Sequence, residues 1–223
     1  MATAIRTSEE IKKDVVDQLY WDSRVDASDV DVEVVDAMVR LKGTVPDLPT
    51  MEAVRQNVWL VPGVRFVHNR LKVKHREGFD IPADGKIGEK VREILRWEPH
   101  LGTTNFDVSV ISGWVTIKGT VDSYFKKSRA SEVVRGLRGV LGVGNEIAVV
   151  PSHNPEDREI ADNILAALDR NIHVGAESID VQVRDGVVTL SGSVRHLPAF
   201  EAAQGTVEHT RGVIAVKNQL TIG

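Results

Sequence analysis

The chain has 223 residues, a formal net charge of −4 at pH 7, and 42% hydrophobic and 27% charged residues, which is an ordinary globular composition. It has no cysteine, which excludes disulfides and thiolate metal sites, and its acidic balance argues against a dedicated nucleic-acid-binding protein. No apolar run reaches the roughly 18 residues of a transmembrane helix. The N-terminal stretch MATAIRTSEEIKKDVV lacks a secretory apolar region. We therefore expect a cytoplasmic protein as written, or a periplasmic one only if a signal segment has been removed.

The first predicted element is a helix that starts near Thr7, since Thr7 and Glu10 match a capping box. Two strands with alternating polarity follow, then a helix with Pro49 in its first turn, then a strand with apolar residues at every second position. Between the first two strands stands Asp36-Ala37, where alanine resists positive φ, so we expect a turn there that is looser or of another type. The apolar face of the first helix is predicted at Ile11, Val15, Val16 and Leu19.

The same order of elements occurs twice more along the chain. Gly43, Gly119 and Gly192 each end a strand, within the phrases LKGTV, IKGTV and LSGSV, and lie 76 and then 73 residues apart. An Asp-Val pair precedes each glycine by the same distance, and a Gly-Val pair follows each at the same distance. The first two strands of the second and third copies are joined by Ser112-Gly113 and Asp185-Gly186, which favour two-residue hairpin turns.

These patterns predict an α+β protein of three tandem α-β-β-α-β domains, at residues 7–75, 84–151 and 155–223. Each helix has a single apolar stripe, so both helices of a domain should cover one face of a three-stranded mixed sheet. The third strand should run parallel to the second, because a helix connects them. The order of the strands in the sheet does not follow from the sequence.

The strand phrase LxGxV and the segments GVRFVHN, GVLGVGN and GVIAVKN, in this α-β-β-α-β order, resemble the BON family, the bacterial osmotic-stress and nodulation domain. The resemblance covers nearly the whole chain. It implies a non-enzymatic protein related to osmotically induced envelope proteins and to secretin- and channel-associated proteins, with phospholipid or other envelope components as ligands. One relative in the family binds potassium, so a cation sensor is a further, weaker alternative.

The shared glycines and asparagines have a structural and a functional interpretation. Glycines such as Gly192 could approach a ligand closely, but turns in which a side chain would clash explain them better. The asparagine of each third strand could bind a ligand, but such residues more often bond their own backbone. Structural roles are therefore predicted for Gly43, Gly63, Gly119, Gly139, Gly192 and Gly212, with Gly63, Gly139 and Gly212 ending the second helix of each domain.

No catalytic signature is present. The seven histidines show no metal-binding spacing, and no serine or cysteine nucleophile motif occurs. We therefore expect no enzyme activity, no metal and no cofactor.

The second helix of the middle domain concentrates basic residues in the stretch SYFKKSRASEVVRGLR. A basic helix with flanking aromatic residues can rest on anionic phospholipid, whereas a solvated helix face is the plainer interpretation. The predicted lipid-binding residues are Tyr124, Lys126, Lys127, Arg129, Arg135 and Arg138.

The corresponding helices of the outer domains are apolar where this helix is basic. Apolar residues at these positions, together with an aromatic residue on the open sheet face, predict contacts between domains, between chains or with lipid. The predicted interaction surface consists of Met51, Trp59, Trp114 and Phe200. The leading hypothesis is an envelope-stress adaptor at a membrane surface. The alternative is a protein-interaction or assembly module of undetermined oligomeric state.

Overall fold

The computed structural model describes residues 6–75, 78, 81–102, 104–172, 174 and 179–222; Gly223, the last residue of the predicted third domain, lies outside this set. The chain divides into two compact units, Met1–Ile81 and Pro82–Gly223. The first unit holds one α-β-β-α-β domain and the second holds two. We refer to them in chain order as the first, middle and third domains.

The helices and strands follow the predicted order in every domain. The helices are α1 (Ser8–Trp21), α2 (Leu48–Leu60), α3 (Asp84–Trp97), α4 (Tyr124–Arg135), α5 (Asp157–Asp169) and α6 (Leu197–Glu208). The strands are β1 (Val30–Val35), β2 (Met38–Val45), β3 (Phe66–Val73), β4 (Asp107–Ile111), β5 (Trp114–Val121), β6 (Gly142–Val149), β7 (Ile179–Arg184), β8 (Val187–Val194) and β9 (Ala215–Ile222).

Each sheet has three strands in chain order, so the second strand is central. In the first domain, β2 pairs antiparallel with β1 and parallel with β3. The other two sheets repeat this arrangement. The predicted α+β fold of three mixed sheets, each with two helices, is therefore confirmed, as is the parallel pairing of the second and third strands.

The hairpin turns correct one expectation. Ser112-Gly113 and Asp185-Gly186 adopt positive φ, as predicted. Asp36 and Ala37 do the same, with φ of 48° and 65°, so the prediction of a looser turn or of another turn type in the first domain is wrong. An alanine in this conformation costs about 1–2 kcal/mol. The strand pairs on either side and a 2.9 Å hydrogen bond from the Arg65 amide to the Ala37 carbonyl oxygen hold the turn in place.

The core of each domain lies between the sheet and the two helices. In α1, Ile11, Val15 and Leu19 are at most 2% exposed, but Val16 is 45% exposed, so its predicted place on the apolar face is wrong. Val15 and Val16 point about 100° apart on a helix, and only Val15 is directed at the sheet. On β2, Val39 and Leu41 meet this helix face from the sheet side.

The glycine after the second helix of each domain lies beyond the helix end, whereas the sequence predicted that it would end the helix. The residues that cap these helices are Val61, Gly136 and His209. Gly63, Gly139 and Gly212 come later, with φ of 96°, 89° and 86°. They serve the turn that returns the chain to the last strand rather than the helix end itself. A side chain at Gly212 would meet the ring of Pro155 at 2.5 Å, so this turn packs closely against the start of its domain.

A polar network joins the two helices of the first domain. The Asn57 side chain is 2% exposed; its Nδ2 donates to Asp22 Oδ2 at 2.6 Å, and its Oδ1 accepts from Gln18 Nε2 at 3.0 Å. The Asp22 carboxylate also accepts hydrogen bonds from the Arg24 guanidinium. Hydrogen bonds from the Arg24 and Asn57 side chains hold the pKa of Asp22 well below its usual range.

We expect the variant Asp22→Asn to lower the free energy of unfolding of the first domain at pH 7 by about 1–3 kcal/mol, because charge-assisted hydrogen bonds are lost. A lowered native pKa means that the unfolded state binds more protons in acid. This contribution is therefore complete above the unfolded carboxyl pKa of about 4 and decreases as the pH falls below it. Urea titrations of both proteins at pH 7 and pH 3 measure it. A difference in stability that stays constant between the two pH values would contradict the prediction.

Candidate functional site

Helix α4 carries all but one of the basic residues predicted from the sequence and begins at a serine cap. The Ser123 hydroxyl accepts the backbone N–H of Lys126 at 3.4 Å. Ala130 and Val134 turn inward and are fully buried. The structure divides the predicted lipid-binding residues into three groups, according to whether they form ion pairs, face the third domain or project outward.

Arg129 joins α4 to the end of α3. One of its terminal nitrogens donates to Glu98 Oε2 at 3.1 Å and the other to Glu132 Oε2 at 2.8 Å. The Glu98 side chain is only 8% exposed and also contacts His100 Nδ1 at 2.9 Å. Hydrogen bonds from His100 and, to a lesser extent, Arg129 lower the pKa of Glu98. In turn, hydrogen bonds to Glu98 and Glu132 raise the pKa of Arg129. The Arg129 side chain is therefore engaged within the middle domain.

Lys126 is also paired. Its Nζ lies 2.9 Å from Asp122 Oδ2, across the start of the helix, and this hydrogen bond is the main cause of a lowered pKa of Asp122. Both side chains are partly exposed, so the pair contributes little to stability. Of the predicted lipid-binding residues, Lys126 and Arg129 thus form ion pairs within their own domain.

The N-terminal half of α4 packs against the C-terminal end of α6, so the middle and third domains are in contact. Ser128 Oγ donates to Glu208 Oε2 at 3.0 Å, and the rings of Phe125 and His209 lie 5.0 Å apart. Tyr124 is half-buried nearby, and burial, together with the charge of Glu208, raises its pKa. Tyr124 therefore lies at this contact between domains.

The remaining basic residues project outward. Arg135 and Arg138 are exposed, and Lys127 is half-exposed. Within the part of the chain that the structure describes, neither Lys127 nor Arg135 forms an ion pair. At about 100° per residue, Lys127 and Arg135 lie about 80° apart around the helix, and Arg138 lies in the turn that follows it.

The predicted interaction residues have different surroundings. Met51 and Trp59 pack against the core of the first domain, and Phe200 is half-buried. Trp114 is 55% exposed on the open face of the middle sheet. A side chain at Gly142 would collide with its ring at 2.2 Å, so Trp114 lies flat over that glycine. Met51 and Trp59 thus pack at the edge of the core of their own domain, whereas the Trp114 ring is exposed to solvent.

Two further tryptophans were missed in the sequence. Trp21 and Trp97, the last residues of α1 and α3, are 81% and 76% exposed. They occupy equivalent positions in the first and middle domains, since both lie 22 residues before the shared strand glycine. Trp97 directly precedes Glu98, so the Glu98–Arg129 contact places the end of α3 beside α4. Alignment of the copies, together with a position off the apolar stripe, could have identified both residues.

The shared asparagines bond locally in all three domains. The side-chain oxygen of Asn145 accepts the backbone N–H of Ile147, two residues further along, at 3.2 Å. Asn69 and Asn218 accept from the second following residue in the same way. The Asn145 amide also donates to the Lys127 carbonyl oxygen and to Ser131 Oγ, both at 2.7 Å. Asn145 therefore ties the last strand to α4.

A model of the BON domain matches residues 7–75, 83–151 and 156–223. The chain belongs to the BON family. A similar protein is "Osmotically-inducible protein Y" of Escherichia coli (strain K12), which is 28% identical over 143 residues, covering 61% of this chain and 71% of the relative. The three BON domains thus account for the triplicate phrases of the sequence.

Two solved structures align with nearly the whole chain, but only at low scores. CdsD, a structural protein of the Type III secretion system of Chlamydia trachomatis, aligns over 95% of this chain and 91% of its own, with 13% identity and a TM-score of 0.26. The PrgH periplasmic domain aligns over 93% and 99%, with 12% identity and a TM-score of 0.23. Such low scores carry no functional argument.

Two further observations concern the described residues alone. None of their helices combines the length and the apolar character needed to cross a membrane. No group of three or more histidine or acidic side chains is gathered there in a way that could hold a metal ion.

Proposed function

We propose that this BON protein is a non-enzymatic osmotic-stress adaptor that associates with anionic phospholipid surfaces through its middle domain. The family and the osmotically inducible relative support the stress role. The observation that carries the membrane proposal is the pair of accessible cations on α4, Lys127 and Arg135, which form no ion pair among the described residues. The exposed Trp97 at the end of α3 lies in the same domain. Exposed cations and exposed aromatic rings are the side chains that favour a membrane–water interface.

Electrostatic attraction accounts for most of the binding free energy expected of this contact. A cation held close to an anionic leaflet contributes about 1 kcal/mol, and the attraction falls off within a Debye length. Lys127 and Arg135 together would contribute about 2 kcal/mol, or about thirtyfold in affinity. Trp97 would add the burial of its ring at the headgroup level. Trp21 offers the same ring in the first domain, but α2 has Met51 and Trp59 at the positions of Lys127 and Arg135.

The test is co-sedimentation with vesicles of phosphatidylglycerol and phosphatidylcholine at low salt. We expect the double variant Lys127→Glu/Arg135→Glu to weaken vesicle binding about thirtyfold or more, and Trp97→Ala to weaken it more than Trp21→Ala does. The matched control is Arg158→Glu/Arg170→Glu, which makes the same change of net charge on and just after α5 at two exposed residues. If the wild-type protein does not bind the vesicles, or if the control variant loses as much binding as the double variant does, the proposal is contradicted.

A further inference from the structure

The open face of the first sheet, opposite the helices, carries a cluster of basic side chains that the proposed function does not use. Arg40 and Lys42 on β2 lie directly beside His68 and Arg70 on β3, because the parallel register pairs Arg40 with His68 and Lys42 with Arg70. These four side chains line a cavity of about 220 Å³. We refer to them as the β2–β3 cluster.

The charges of the cluster are only partly compensated. Glu33 on β1 forms an ion pair with Lys42 at 2.9 Å, and this contact lowers the pKa of Glu33. Arg70 Nε donates to His68 Nε2 at 3.1 Å. Among the described residues, Arg70 makes no other hydrogen bond and Arg40 forms no ion pair. Both guanidinium groups therefore keep terminal N–H donors available beside the cavity.

The other two domains show that the fold does not require this cluster. At the register position of Lys42 and Arg70, the middle domain has Lys118 and Glu146, an opposite-charge pair 3.2 Å apart. Like charges on directly opposite residues destabilise a sheet, so the first domain carries a small cost that the middle domain avoids. The third domain has Ser191 and Gln219 at these positions. The concentration of cations is thus particular to the first domain.

We propose that the β2–β3 cluster binds the phosphate group of a small anion. Guanidinium groups offer paired N–H donors that match the oxygens of a phosphate, and a lysine ammonium adds a point charge. His68 accepts from Arg70 Nε and so orients the guanidinium while leaving its terminal nitrogens to donate. The cavity is smaller than the roughly 300–1,000 Å³ of pockets for drug-sized ligands, which favours a ligand of about the size of phosphate or diphosphate. The same phosphate group could belong to a soluble anion or to a phosphomonoester lipid headgroup.

The site is tested by calorimetric titration of the full chain with inorganic pyrophosphate at constant ionic strength. We expect saturable binding that Arg70→Glu weakens by at least about tenfold. That variant should fold normally, because it gives the first domain the Lys–Glu pair already present at the same register in the middle domain. Lys118→Ala, at the position of Lys42 in the middle domain, is the matched control and should bind as the wild type does.

A second arm separates the two sources of the phosphate group. The same variants are sedimented with vesicles that contain phosphatidic acid, whose headgroup is a phosphomonoester. Loss of pyrophosphate binding in Arg70→Glu supports a soluble ligand, and loss confined to these vesicles supports a lipid headgroup. If neither probe binds, or if Lys118→Ala is impaired as much as Arg70→Glu, the proposal is overturned. Because Lys127 and Arg135 lie in another domain, their variants should leave the pyrophosphate titration unchanged, which separates failure of this proposal from failure of the proposed function.

Discussion

Replacement of Gly43 by alanine is expected to lower the free energy of unfolding of the first domain by about 3 kcal/mol or more, which is a large effect for one methyl group. Gly43 lies in the central strand with φ of 111°. A Cβ atom there would lie 1.9 Å from the Asp29 carbonyl oxygen. That oxygen accepts the Thr44 backbone N–H at 3.1 Å, so the collision cannot be relieved without loss of a hydrogen bond beside the strand. Backbone strain alone contributes about 1–3 kcal/mol.

Hydrogen exchange followed by mass spectrometry measures this effect domain by domain. Amides of β1, β2 and β3 should lose protection in Gly43→Ala while those of the second unit stay unchanged. The matched control is Gly85→Ala in the first turn of α3, where a Cβ atom would meet nothing within 4 Å. We expect that control to stabilise the middle domain by up to about 1 kcal/mol, because alanine favours a helix more than glycine does. Wild-type protection in Gly43→Ala would refute the steric explanation.

The second large effect is expected at Arg129. The variant Arg129→Glu would place a negative charge beside Glu98, whose side chain is 8% exposed, and would also lose the contact with Glu132. Breaking a fully buried pair costs about 3–5 kcal/mol. Because Arg129 itself is 32% exposed, we expect a loss of about 2–3 kcal/mol. The result should appear as faster exchange of the amides of α3 and α4.

Lys127→Glu is the matched control for this variant, since it makes the same charge change two residues away on the same helix. It should alter the stability by no more than about 0.5 kcal/mol, as exposed substitutions usually do. Equal destabilisation by both variants would mean that the contact with Glu98 contributes nothing to stability beyond the effect of reversing a charge on this helix. The comparison also decides which residues suit the vesicle experiment, because reversal of Arg129 would change folding as well as surface charge.

The fold could be predicted because its signals are local and occur three times. Alternating strands, two-residue turns and helices with one apolar stripe follow from neighbouring residues, and the copies agree in spacing. Val16 was misplaced because two adjacent apolar residues cannot both face the sheet. Ala37 was misjudged because its intrinsic preference is overridden by strand pairing and by the hydrogen bond from Arg65.

The candidate site was less predictable because it depends on contacts between distant segments. Arg129 looked like a surface cation, since its partner Glu98 lies 31 residues earlier in the chain. Tyr124 looked exposed because the packing of α4 against α6 joins two different domains. The β2–β3 cluster could be anticipated only in part: alternation places Arg40 and Lys42 on one face, but their neighbours on β3 depend on the parallel register.

The contact between α4 and α6 has a consequence for how such domains can be assembled. Each domain contributes its second helix, so both partners present the same element. The contact joins different ends of that element, since the N-terminal half of α4 meets the C-terminal end of α6, and it is therefore heterologous rather than self-complementary. A further BON domain could not dock on the N-terminal half of α4 without displacing α6. The third domain thus occupies one surface of its neighbour, as each unit does in a solenoid protein.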